Sequence, residues 1–163
     1  MKIGSFADEI YSADKVRIYV GNPHHHFVVK RSGLEERSPF FSRLVSHDRA
    51  EGFYIMSPLL STVAPEDFKV IAEFLDRGEY QPYLIAGGTD SARLENINTN
   101  AERSEQLHHS AIHYCLGQQF ELTNFQLLVF RKVNALGFYP AFELLSTVHM
   151  IYREGPPDNE EMH

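Results

Sequence analysis

The sequence predicts an α+β domain, with helices outnumbering strands. Three short stretches, 16–20, 27–30 and 52–56, carry the alternation or β-prone composition of strands. Other segments carry helix-start chemistry or a helical apolar period. The order is strand, strand, helix, strand, helix and then three further helices.

The first strand is Val16-Arg17-Ile18-Tyr19-Val20, apolar and polar in alternation, and Gly21-Asn22-Pro23 breaks it. Phe27-Val28-Val29-Lys30 is β-prone again. The pair reads as a hairpin, with His24, His25 and His26 in its turn and at the start of its second strand. Ser38 suits a helix N-cap and Pro39 the first helical position, where a missing N–H costs nothing. Phe40, Phe41 and Leu44 supply that helix with an apolar face. Gly52-Phe53-Tyr54-Ile55-Met56 is the third strand. Ala64-Pro65-Glu66-Asp67 opens another helix, with proline first and two carboxylates at the positive end of the dipole. Its Phe68, Ile71, Ala72 and Leu75 fall at i, i+3, i+4 and i+7, and Arg77-Gly78 stops it. Residues 86–100 are polar and irregular and read as a flexible loop insertion. Helices are expected at about 101–118, 124–135 and 139–153. The end, 154–163, is a breaker followed by acidic residues, the composition of a disordered tail.

At 163 residues the chain suits one domain with a short tail. Its formal net charge of −7 argues against nucleic acid and against an anionic membrane surface. Proteins or small molecules are the expected partners. Cys115 is the sole cysteine, so no internal disulfide forms. No signal-peptide pattern or bilayer-length apolar run is present. Together these features set the expectation of an intracellular protein, cytoplasmic or nuclear.

Candidate chemistry is thin. Adjacent strand residues point to opposite faces, so only His24 and His26 of the triple run can share a ligand, and nothing nearby in sequence completes a zinc set. His109 and His113 are spaced i, i+4, yet His109-Ser110-Ala111-Ile112-His113 lacks the glutamate of a zincin. His108 beside them suggests a polar helix face. Gly87-Gly88-Thr89-Asp90-Ser91 lacks the Gly-Lys-Ser/Thr of a phosphate loop. Cys115 sits in an apolar helical run and reads as a buried thiol. The expectation is no catalytic, metal or cofactor site. The rival is a metal-dependent enzyme using His24, His26, His109 and His113.

Residues 27–41, Phe-Val-Val-Lys-Arg-Ser-Gly-Leu-Glu-Glu-Arg-Ser-Pro-Phe-Phe, resemble the signature of BTB/POZ domains. That signature runs Phe-x-Val/Ala-His-Lys/Arg-x-x-Leu-x-x-x-Ser-x-Tyr/Phe-Phe. Asp14 and the strand after it resemble the family's first core strand. Ala64 to Phe68 and then Phe74-Leu75-Asp76-Arg77-Gly78-Glu79-Tyr80 resemble the segment ending Phe/Trp-Leu-Tyr-x-Gly-x-Tyr. Tyr114-Cys115-Leu116-Gly117-Gln118-Gln119-Phe120, with Leu122 and Phe125, resembles Tyr-x-Leu-Ala-x-Lys-Tyr-x-x-x-x-Leu. Four segments match in the right order, and with the loop at 86–100 they are similar to the fungal set. The positions that carry the resemblance are Asp14, Phe27, Lys30, Leu34, Ser38, Phe41, Phe68, Leu75, Gly78, Tyr114, Leu116 and Phe120.

The resemblance implies a small three-stranded sheet flanked by helical hairpins over 14–136, preceded by a short segment (1–13) and followed by an extra C-terminal helix (137–153) and the tail (154–163). It implies a non-catalytic protein-interaction module whose partners are proteins of unspecified identity, a second copy in a homodimer and a cullin scaffold among the candidates. The family histidine falls on Lys30, and a buried lysine there would need a carboxylate such as Asp14, or would have to snorkel. The family lysine falls on Gln119. Only thirteen residues precede Asp14, fewer than a long N-terminal helix and exchanged strand require, which argues against the strand-swapped dimer though not against every dimer. Cullin adaptors often carry hydrophobic-x-Glu after the Ser-x-Phe-Phe helix. Here it reads Arg49-Ala50-Glu51, a weak partner contact without its apolar anchor.

Overall fold

The computed structural model describes residues 13–85 and 92–137. The N-terminal segment, residues 86–91 of the expected loop, the expected C-terminal helix and the acidic tail lie outside the described residues. The described residues fall into two compact units: 13–81 with 117–125, and 82–85 and 92–116 with 126–137. The described residues form an α+β arrangement: a four-stranded mixed sheet, a small two-stranded hairpin and six helices.

In the first unit the strands are β1 (Lys15–Val20), β2 (His25–Lys30), β3 (Ser46–Asp48) and β4 (Gly52–Ile55), ordered β2-β1-β4-β3. β1 pairs antiparallel with β2, Val16 opposite Val29 and Ile18 opposite Phe27. It pairs in parallel with β4, Val16 beside Phe53 and Ile18 beside Ile55. The expected three-stranded sheet is corrected to four, because β3 adds an antiparallel edge to β4. Ser46-His47-Asp48 is exposed throughout and carries no apolar signal, which is why its sequence reads as a loop.

Two helices follow β2 where the sequence announces one. These are α1 (Arg31–Arg37) and α2 (Pro39–Ser42). Ser38 caps α2, its Oγ accepting the Phe41 amide at 3.0 Å, with Pro39 in the first helical position. After α3 (Pro58–Ser61), α4 (Pro65–Arg77) ends at Gly78, whose φ of +78° is the left-handed conformation that favours glycine. The core joins Val16, Ile18, Val29 and Ile55 on one sheet face to Leu34, Phe41, Phe68, Ile71 and Leu75 from the helices, all buried. Phe41 is its hub, with ring centroids 6.0 Å from Phe68 and 5.2 Å from Phe120.

α1 crosses the end of α4 with backbone against backbone. A Cβ on Gly33 would stand 2.5 Å from the Leu75 carbonyl oxygen. Beside it, Arg37 donates through Nη1 to the carbonyls of Leu75 (3.1 Å) and Asp76 (3.4 Å), covering acceptors that α4 leaves unpaired at its negative end.

In the second unit β5 (Leu84–Ile85) and β6 (Arg93–Leu94) form an antiparallel hairpin. The expected irregular stretch 86–100 therefore holds a paired strand. α5 (Asn100–Gln119) starts from a capping box: the Glu102 amide donates to Thr99 Oγ1 (3.1 Å) and the Thr99 amide to Glu102 Oε1 (3.3 Å). α6 (Thr123–Asn134) follows. Both lie within a residue of the ranges read from sequence. No helix among the described residues is long and apolar enough to cross a membrane.

Gly33→Ala is expected to destabilise the fold by about 1–3 kcal/mol, the usual range for overpacking, because a helix backbone must retreat. Ser38→Ala should cost about 1 kcal/mol through the lost cap. Urea unfolding of the two variants beside the parent chain checks both values.

Candidate interaction surface

The sheet buries one face, and the other is assembled from side chains of a different kind. Arg17 and Tyr19 of β1 point there, with Tyr54 of β4 beside Arg17 and Val28 and His26 of β2 opposite Arg17 and Tyr19. Arg17 is only 5% exposed despite facing away from the aromatic core. Its guanidinium donates to Tyr19 Oη and to the Glu51 carbonyl (2.7 Å), and it lies 3.5 Å from the Glu51 carboxylate. Tyr19 extends the array, its ring 6.0 Å from His24 and 6.1 Å from His26. An arginine fixed among tyrosines is the composition that protein interfaces favour.

The triple histidine thus sits on the exposed turn and first residues of β2, around Tyr19. His109 and His113 lie one turn apart on α5, ring centroids 6.4 Å apart. Among the described residues no three His, Cys, Asp or Glu side chains come together as a metal ligand set.

The positions of the resemblance separate by burial. Leu34, Ser38, Phe41, Phe68, Leu75 and Phe120 are fully buried in the first unit. Phe27 is half-buried with its ring 5.6 Å from Phe68, and Tyr114 and Leu116 are half-buried on α5. Lys30 corrects the expectation attached to it. It is exposed, so no buried charge needs Asp14. Its backbone N–H donates to Asp76 Oδ1 (2.8 Å), while the Asp14 carbonyl accepts the Arg31 amide (2.7 Å). Arg49 and Glu51 stand on the exposed β3–β4 turn, where Glu51 holds Arg17. Cys115 is half-buried rather than buried, and burial still pushes its thiol pKa up.

A groove of about 320 Å³ flanks β2. Phe27 and Val28 form one wall, and Lys69, Ala72, Glu73, Asp76 and Arg77 of α4 the other. Val28 is 38% exposed in it. Met56 and Leu59, beside and within α3, are exposed apolar side chains elsewhere in the same unit.

Sequence reasoning missed two buried polar residues of the second unit. Lys132 is fully buried, its Nζ donating to the Pro82 carbonyl (2.7 Å) and lying 5.9 Å from the Tyr83 ring centroid. His113 is buried as well, and its pKa is pushed down to about 4, first by desolvation and then by the charges of His109 and Lys132. The helical period marks both positions as inward, although their residue types suggest surface.

Comparison with protein-family models, with curated proteins and with solved structures returns no match.

His113 ties stability to pH. The unfolded chain takes up the proton near pH 6.5 and the folded chain only near 4, so the unfolded state binds more protons in that window. The neutral-imidazole contribution is present above about 6.5 and lost as pH falls toward 4. Between pH 7.5 and 5 the expected loss is about 2 kcal/mol, integrating a pKa difference of that size. Urea titrations at both pH values should show this loss in the parent and a smaller one in His113→Gln.

Proposed function

We propose that the chain is a non-catalytic protein–protein interaction module of the BTB/POZ type, acting in the cytoplasm or nucleus. The observation that carries this reading is the joint burial of the residues of the resemblance. Leu34, Ser38 and Phe41, Phe68 and Leu75, and Phe120 come from three separated stretches and meet in one core. The antiparallel β1–β2 pair, with β4 parallel to β1 after the α1–α2 helices, agrees with it. The polar aromatic sheet face supports a protein partner over a small molecule, since it offers spread side chains rather than an enclosed cavity. The partner is a second copy of the chain or another protein.

A cullin-adaptor role is the narrower reading. Its support is the position of Glu51 on an exposed turn. The pairing of that carboxylate with Arg17, and a basic Arg49 where an apolar anchor would sit, weigh against a strong contact there.

Size exclusion with light scattering over a concentration series, with and without chelator, tests the module reading, alongside titration with a cullin N-terminal fragment. A chelator-insensitive dimer, or saturable cullin binding that Glu51→Ala weakens, is the expected outcome. Stoichiometric zinc whose removal lowers the melting temperature, and which His109→Ala releases, would replace the reading with a metal-dependent one.

A further inference from the structure

We infer that the free edge of β2 is a docking site for an extended, acidic peptide segment of a partner protein, which adds to the sheet as a fifth strand. The inference rests on the interaction-module reading and names the partner chemistry of one of its surfaces.

β2 is one of the two outer strands of the sheet among the described residues. Two bonds fix which way its backbone points. The Arg31 amide donates inward to the Asp14 carbonyl, and the Lys30 amide donates outward to Asp76 Oδ1. Strand backbone groups alternate in direction, so the N–H and C=O of Val28 and His26 point outward with that of Lys30. Among the described residues none of these four groups has a partner. The groove lies at this edge: consecutive strand residues point to opposite faces, so a groove lined by both Phe27 and Val28 views the strand edge-on. Exposed Val28 with Ala72 gives it a single apolar seat. Main-chain hydrogen bonds supply the affinity and the side-chain seats supply the selection, as in other strand additions.

Charge selects the occupant. The groove's two carboxylates are engaged: Glu73 lies 3.6 Å from Arg77 and accepts the Gln81 amide at 3.2 Å, and Asp76 accepts the Lys30 amide. Lys69 makes no ion pair among the described residues. Lys30 and the three histidines are exposed on and beside the strand. The groove's own lining is charge-balanced, Lys69 and Arg77 against Glu73 and Asp76, and Lys30 beside it leaves this edge one net positive charge, although the chain as a whole is acidic. An apolar side chain with carboxylates two residues to either side matches the seat, because those side chains share its face. A second copy of β2 matches it poorly. Antiparallel pairing about Val28 would set His26 against the copy's Lys30.

The test uses the full chain and a fluorescein-labelled peptide with a central Val, Glu two residues to either side of it and Thr between, read by polarisation, beside a Val/Lys counterpart in which lysine replaces each Glu. Saturable binding is expected, with a Val/Lys peptide failing to bind. Methylating the peptide amides along one edge should weaken binding about fivefold or more per blocked hydrogen bond, and along the other edge hardly at all. Lys69→Glu, an exposed change that leaves melting intact, should weaken it several-fold. Equal loss from either edge, equal binding of the Val/Lys peptide, or no binding would overturn the inference. So would a chain dimer that the peptide competes away, which assigns the edge to a second copy. A chain that self-associates elsewhere or binds the cullin fragment, yet ignores the peptide, loses this inference alone. One that does none of these loses the module reading too.

Discussion

The first unit depends on the approach of α1 to the last turn of α4. At Gly33 the two helices meet without an intervening side chain, and the space a Cβ would need is occupied by the Leu75 carbonyl. Helix ends expose unpaired carbonyls, and burying them against a neighbour is costly unless something donates to them. Arg37, one turn beyond Gly33, does so, and its cation also complements the negative end of the helix dipole. Gly78 lies under the same guanidinium, where a Cβ would fall 2.9 Å from Arg37 Nε. Asp76, in the same turn, accepts the last amide of β2. Glycine, arginine and aspartate together set where α4 lies against the sheet, and so where Phe68 enters the aromatic core and how wide the groove along β2 opens.

β1 is the strand that the sheet can least lose. It is paired on both edges and carries side chains into both faces, with Val16, Ile18 and Val20 buried on one and Arg17 on the other. A guanidinium withdrawn from water is destabilising unless its donors are met. Tyr19 meets Nη1 and Glu51 meets Nη2, and in doing so they fasten the β3–β4 turn to the middle of the sheet. The arrangement gives Glu51 a structural task independent of any partner.

Much of this was legible in the sequence because local chemistry and tertiary need agree. Ser38-Pro39 and Pro65 opened helices where they should, and Gly78 closed one. The apolar period of α4 named its buried face. What escaped has physical reasons. β3 is an exposed edge held by backbone bonds, so its side chains report nothing. α1 begins without a side-chain cap, and its Gly33 resembles a breaker until the helix it presses against is known. The family position suggests for Lys30 a carboxylate partner or a snorkelling side chain; the strand's alternation turns it outward and leaves the amide to make the contact. The arginine–tyrosine face could be drawn only with the register in hand, because Arg17, Tyr54 and Val28 are far apart in sequence and adjacent only once β1 is central.

An open sheet edge invites uncontrolled pairing unless it is limited. On β2 the limits come from both ends. Asp76 occupies the amide of Lys30, and Gly21, with φ of +85°, turns the chain away at the other end. The outward groups of His26 and Val28 form a window of a few hydrogen bonds, and α4 stands along it as a wall. A window that short cannot template an open-ended stack, and the juxtaposition of His26 with Lys30 disfavours a copy of itself. The features that suppress self-pairing are therefore the same ones that favour a carboxylate-bearing strand, so a single charge pattern both protects the edge and selects what reaches it.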